Sequence, residues 1–267
     1  MPVTPQRAAI LANNLTVVKS RITNAAAATA TTQTKNPIRL VAVSKLKPAA
    51  DILSLHEQPT IKQLHFGENY VQELMEKSQL LPESINWHFI GGLQSNKCVA
   101  LARDVKGLWA VESVDSEKKA SLLDKGFGER LKRQNLKNQD SDDGRLRIFI
   151  QVNTSGEENK SGIDPSSTPI LCRFILEKCP HLKLQGIMTI GAIARSKATA
   201  PGHENEDFLC LRDTRDRVVS ELGLDSLELS MGMSDDFEGA ISLGSDQVRV
   251  GTTIFGERPL KSEARVV

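Results

Sequence analysis

Apolar positions along this chain fall into two alternating kinds of segment. One kind is short and nearly continuous: "IRLVAVSK" (38–45), "KQLHFGEN" (62–69), "WHFIGG" (87–92), "GLWAVES" (107–113), "LRIFIQVN" (146–153), "LKLQGIMTI" (182–190), "LELSMG" (227–232) and "QVRVG" (247–251). Runs of this length, rich in Val, Ile, Leu and Phe, predict strands covered on both faces, as in a parallel sheet. The other kind has helical periodicity. In "NYVQELMEKSQLL", Val71, Leu74, Met75 and Leu81 share one side, and the i,i+4 pair Glu73 and Lys77 takes the other. "ENEDFLCLRDTRDRVVSELG" sets Phe208, Leu211, Val218, Val219 and Leu222 inward, with Gly223 as the helix stop. "SDDFEGAISLG" carries two aspartates in its first turn, where the macrodipole favours them, and ends at Gly244.

Eight strand candidates alternating with helices predict an α/β fold, a single (β/α)8 TIM barrel. "GLWAVES" is the weakest of the eight. The alternative is an open doubly wound sheet, but no Gly-rich dinucleotide fingerprint follows the first strand. Ahead of that strand, Ala8, Ile10, Leu11, Leu15, Val18 and Ile22 predict an extra N-terminal helix. "NAAAATATTQTKNP" (24–37) reads as a frayed helix end and flexible linker, and "LKNQDSDDGR" (136–145) as a polar surface connection. The expected division is therefore a helix and linker over 1–37 and a barrel over 38–267.

Composition narrows the functions. Of 267 residues, 39% are hydrophobic and 25% charged, the balance of a soluble globular protein. Lys and Arg number 34 against 33 Asp and Glu, and aromatics are 4%, so neither a nucleic-acid nor a membrane-surface partner is expected. No apolar run approaches the ~20 residues of a membrane span. Cys98, Cys172, Cys179 and Cys210 are widely spaced without a metal-ligand pattern, which predicts reduced thiols and a cytoplasmic setting. No acidic residue precedes Asp51, whereas Arg7, Lys19, Arg21, Lys35 and Arg39 do. Such a start also suits a mitochondrial transit peptide, although the apolar period favours an ordinary first helix.

In a barrel, the loops after the strands form the mouth, so the groups at strand ends carry the chemistry. Strand 1 delivers Ser44, Lys45 and Lys47; strand 2 delivers Glu68 and Asn69; the loop after strand 3 carries Gln94, Asn96 and Lys97; strand 5 leads to Lys160. Strands 7 and 8 deliver "SMGMS" and "RVGTT". There Gly232, Ser234, Gly251 and Thr252 suit a phosphate cradle of hydroxyls and approachable backbone, against the simpler alternatives of an N-cap and a turn. Arg249 shares a strand face with Gly251 and would point into the barrel. Strand 1 closes against strand 8, which brings Lys45 beside that cradle. A lysine in a partly desolvated, cation-rich site becomes a nucleophile toward carbonyls. Together these features point to a Schiff base between Lys45 and pyridoxal 5′-phosphate (PLP), with Arg249 against the pyridine nitrogen. A guanidinium cannot protonate that nitrogen, so the ring would stay a weak electron sink. A Schiff-base aldolase or phosphate-sugar isomerase on the same barrel is an alternative. His65 and His88 read as satisfied side chains rather than metal ligands, and Trp87 and Trp109 as packing.

The blocks "LVAVSKLKP", "HFGENYVQELMEK", "WHFIGGLQSNK", "VNTSGEENKSGI", "GIMTIG", "SMGMSDDFEGAI" and "VRVGTTIFGER" occur in order from 38 to 258. In them the chain resembles the pyridoxal phosphate homeostasis proteins, whose barrel is of the alanine racemase N-terminal (PLP fold-type III) kind. The resemblance implies that Lys45 bears the cofactor, that Ser234, Gly251 and Thr252 hold its phosphate, and that Arg249 faces the pyridine nitrogen. It implies also that Asn69 and Met233 line the cofactor, with Lys47 and Lys160 as further lysines near the site. Leu46 stands where a threonine is common in the strand-1 motif. The expected role is a monomeric, non-catalytic PLP carrier or regulator in vitamin B6 homeostasis, with PLP-dependent apo-enzymes as recipients. The alternative is a fold-type III enzyme such as an amino-acid racemase. Those enzymes carry a second domain and often a tyrosine base from a neighbouring subunit, whereas the single tyrosine here is Tyr70 and the sequence closes soon after "FGER".

Overall fold

Each apolar run becomes one strand, and each periodic segment one helix. A computed structural model describes residues 3–29, 37–133, 144–157, 160–191 and 204–267. The order begins with helix α1 (Pro5–Ala28), then β1 (Arg39–Val43), α2 (Ala49–His56), β2 (His65–Glu68), α3 (Val71–Leu80), β3 (Asn86–Phe89) and α4 (Ser95–Asp104). It continues with β4 (Leu108–Val114), α5 (Glu117–Arg133), β5 (Leu146–Gln151), α6 (Thr168–Lys178), β6 (Leu182–Met188) and α7 (Glu206–Leu222). The last elements are β7 (Glu228–Ser230), α8 (Phe237–Ser242), β8 (Gln247–Val250) and α9 (Thr252–Phe255). All strand pairs are parallel, and β1 pairs with β8 to close the barrel, Val41 opposite Arg249 and Ala42 opposite Val250.

The two faces of the strands differ in chemistry. Leu40, Ala42, Phe66, Trp87, Phe89, Ile148, Ile150, Leu229, Val248 and Val250 point outward and form one apolar core with the helices. The opposite face carries His65, His88, Glu112, Ser230, Gln247 and Arg249, which fill the interior with polar groups. The weakest strand of the sequence reading, β4, is among the longest in the sheet. Its register against β3 slips: Leu108 opposes Trp87 and Ala110 opposes His88, leaving Trp109 as the extra residue of a bulge. Trp109 stacks on His88 and packs with Ala110, so two neighbours reach the same side and the strand loses a clean alternation.

Helix α1 starts at Thr4, whose side chain accepts from Arg7 N, with Pro5 in the first turn. Leu11, Leu15, Val18 and Ile22 are buried in the same core as the barrel, whereas Ile10 is 46% exposed, just off the buried stripe. The linker at 30–36 and the polar connection at 136–143 lie outside the described residues. A further correction concerns α3. Glu73 and Lys77 do not face solvent as a surface pair would: Lys77 is fully buried, because Glu68 at the end of β2 reaches back to its ammonium at 2.7 Å. Among the described residues no helix is long and apolar enough to cross a membrane. All four cysteines are free thiols.

Candidate functional site

The first strand leaves the barrel at Val43 and turns sharply. Ser44 N donates to Gly67 O at 2.9 Å, Lys47 N donates to Ser44 O at 3.1 Å, and Leu46 adopts a left-handed φ of 62°. Lys45 sits between these anchors, half-buried, with no hydrogen bond or ion pair among the described residues. Burial lowers its pKa and Arg258 pushes the same way, while Glu68 and Glu73 oppose them. The result is an amine more readily neutral than a surface lysine. Burial lowers the pKa of Lys47 as well, but Lys47 has a partner. It is 7% exposed, and its ammonium donates to the Glu257 carbonyl.

The strand-7 and strand-8 loops meet beside this turn. Ser234 Oγ accepts from Gly251 N at 3.3 Å, and Arg249 N donates to Gly232 O at 3.0 Å. Gly232 has φ 93°, and a Cβ there would lie 2.6 Å from Ala240 Cβ, so only glycine fits. A Cβ on Gly251 would lie 3.2 Å from Val43 O and 3.3 Å from an Arg258 guanidinium nitrogen. Its absence leaves an approachable backbone flanked by that cation and by the Ser234 hydroxyl. Thr252, the first residue of α9, is exposed. Met233 N donates to Asp236 Oδ1 at 2.6 Å, which fixes the turn before α8. At the end of β2, Asn69 Oδ1 is buried without a hydrogen-bond partner.

Arg249 does point into the barrel. It is 5% exposed, and its guanidinium donates to Ser230 Oγ at 2.6 Å and to Thr189 O at 2.7 Å. Ser230 in turn donates to Glu112 Oε2 at 2.8 Å, and Gln247 Nε2 donates to Glu112 Oε1 at 2.8 Å. His88 Nδ1 lies 2.6 Å from Glu112 Oε1, and its Nε2 lies 2.8 Å from His65 Nδ1. A carboxylate only accepts, so His88 carries its proton on Nδ1 and His65 must donate to His88 Nε2. Both rings are neutral. Burial, the neighbouring His88 and the cations Arg39 and Arg147 push the pKa of His65 down to about 2, and burial lowers that of His88. The satisfied-side-chain reading of the two histidines holds.

Thus the structure brings Lys45, Ser234, Arg249 and Gly251 to one end of β1 and β8. Lys160 is set apart by its own partners, Glu157 Oε1 at 2.8 Å and Gly191 O at 3.3 Å. Gln94 and Lys97 line a neighbouring cleft of about 590 Å³ with Asn69, Tyr70 and Lys261. Sequence reasoning missed Arg258, Glu112, Ser230 and Gln247. Gln247 was findable, because it is two positions before Arg249 and therefore shares its inward face.

The family model for the alanine racemase N-terminal domain matches residues 8–259. A pyridoxal phosphate homeostasis protein of Caenorhabditis elegans is 46% identical over 242 residues, 89% of this chain and 92% of that protein. One from Schizosaccharomyces pombe is 44% identical over 229 residues, 86% of this chain and 88% of that protein. Among solved structures, PipY of Synechococcus elongatus with PLP bound has a TM-score of 0.66 at 29% identity, covering 92% of this chain and 100% of that one.

Proposed function

This chain belongs to the family of pyridoxal phosphate homeostasis proteins, and from that premise we propose that it binds PLP without turning it over and serves intracellular vitamin B6 homeostasis. The relatives bear the name of homeostasis proteins rather than of enzymes. The observation that carries the reading is the half-buried, unpaired amine of Lys45 beside the Ser234–Gly251 turn and the buried guanidinium of Arg249.

The residues present suit the group. Asn69 offers an unused buried acceptor, and Gly251 leaves a backbone cradle that a Cβ would fill. Ser234, Gly251 and Thr252 would hold the phosphate, with Arg258 beside them as a counter-charge. Asn69 and Met233 line the ring. Arg249 faces the pyridine nitrogen as a hydrogen-bond donor that cannot release its proton. PLP supplies an aldehyde carbon and a conjugated ring. Lys45, whose Nζ is half-buried and more readily neutral than a surface amine, would be the residue that holds it through the aldehyde. Lys47 and Lys160 stay tied to their own carbonyl and carboxylate partners.

The barrel of residues 38–267 and the N-terminal helix act as one monomeric unit in a reducing, cytoplasmic setting, and the cofactor passes to PLP-dependent apo-enzymes. Neither nucleic acid nor membrane is a partner. Amino-acid racemisation would need an acid or base on each face of the cofactor. Tyr70 lies at the exposed rim, with the Lys261 ammonium 4.4 Å from its ring centroid.

Titration with PLP, followed by visible absorbance, tests this. Wild type and Lys160→Ala develop a borohydride-sensitive band, and Lys45→Ala does not. A panel of L-amino acids shows no inversion. Turnover by the wild type that Lys45→Ala abolishes would replace the carrier reading with an enzymatic one.

A further inference from the structure

Beneath the Lys45 turn, three ionisable side chains share one buried site. The Lys77 ammonium meets Glu68 Oε1 at 2.7 Å, Glu73 Oε1 at 2.6 Å and the Ser44 carbonyl at 2.9 Å, which engages all three of its protons. Glu68 Oε1 also accepts from Ser44 Oγ at 2.7 Å, and Glu73 Oε1 accepts from Leu46 N at 2.7 Å. Apart from the ion pairs themselves, every one of these contacts lands on Ser44 or Leu46, the two neighbours of Lys45.

Stability alone does not account for such a cluster. Burying two carboxylates around one ammonium carries a desolvation penalty that apolar packing of the same volume would avoid. Burial pushes the Glu68 carboxyl up to about 7, and Glu68 Oε2 and Glu73 Oε2 are left without partners. What the cluster does achieve is backbone control. It pins Ser44 at both its hydroxyl and its carbonyl, and it holds Leu46 in a left-handed conformation that a branched residue rarely adopts. The backbone of the residue between them, and with it the root of its side chain, is then fixed.

We propose that Lys77, acting through Glu68 and Glu73, is a positioning residue that aims the Lys45 amine at its carbonyl partner. This rests on the reading of Lys45 as the PLP-bearing amine. The clamp acts only on the covalent part of binding, because none of its contacts reaches the Ser234–Gly251 turn.

Two ligands separate the effects: PLP, and 4-deoxypyridoxine 5′-phosphate, which has the same phosphate and nearly the same ring but no aldehyde. Each is titrated against wild type, Glu73→Ala, Glu73→Gln and Lys77→Met, with near-UV circular dichroism as the check on folding. In Glu73→Ala the PLP affinity falls at least tenfold while that of the deoxy analogue moves less than twofold. Glu73→Gln, which keeps an oxygen for Leu46 N, recovers most of the loss. Lys77→Met behaves as Glu73→Ala does; should it fail to fold, Glu73→Ala decides alone, since Glu73 is at the partly exposed edge of the cluster. A folded Glu73→Ala whose ratio of PLP to analogue affinity equals that of wild type overturns the proposal, whether both affinities stay or both fall. Failure of the underlying reading looks different: the wild-type ratio is then near one and Lys45→Ala does not change it.

Discussion

His88 donates from Nδ1 to Glu112 Oε1 at 2.6 Å, both side chains fully buried at the centre of the barrel. That bond sets the tautomer of His88 and, through it, of His65, so the interior holds two imidazoles that must stay neutral in the folded state.

A pH dependence of stability follows from them. His65 and His88 both have lowered pKa values, so their contribution is complete above about 6.5, the ordinary histidine value, and is lost as pH falls toward the folded values. Glu68 is raised to about 7 and acts in the opposite sense, contributing below its unfolded value and losing that contribution as pH rises through 7. Between about pH 5 and 6 the two histidines therefore lower stability on acidification while Glu68 opposes them, and the pH dependence of stability reads the balance. Urea unfolding across that range measures it. His65→Phe, which keeps a ring against Trp109, removes the His65 share and makes stability less sensitive to acidification; an unchanged slope would contradict the account.

The strand-7 loop makes a sharper structural prediction. At Gly232 a Cβ meets Ala240 Cβ at 2.6 Å and Phe237 Cα at 3.0 Å, with φ at 93°. Gly232→Ala is expected to cost on the order of 2–4 kcal/mol and to weaken phosphate-ester binding at Ser234. Gly239, exposed within α8 with nothing near its missing Cβ, is the control. Gly239→Ala stabilises by about 0.5–1 kcal/mol. Chemical denaturation of both variants checks the contrast.

Arg258 acts on the amine from outside the barrel. Its charge lowers the pKa of Lys45, so Arg258→Ala raises it and moves imine formation to higher pH. The pH profile of PLP-dependent absorbance reads the shift directly. A profile that stays in place, or moves to lower pH, would remove Arg258 from the site.

The sequence was legible where one physical cause acted on each residue. Apolar runs covered on both faces marked all eight strands, and "SMGMS" and "RVGTT" marked the mouth because glycines and hydroxyls are poor choices for a strand interior. It was less legible where two causes competed. Trp109 and Ala110 share one face at a bulge, which blurred β4 although that strand is long. Lys77 and Glu73 have the spacing of a solvated helix pair, and only the return of Glu68 from β2 buries them. Glu112 is a single acid within an apolar run, and its partners Ser230, Gln247 and His88 come from three other strands. Contacts of that range leave no local pattern.

The most direct measurement is borohydride reduction of the PLP-loaded protein followed by peptide mapping. The account predicts a single pyridoxyl label, on the peptide containing Lys45. A label on Lys47, Lys160 or any other amine, or none at all, would contradict it.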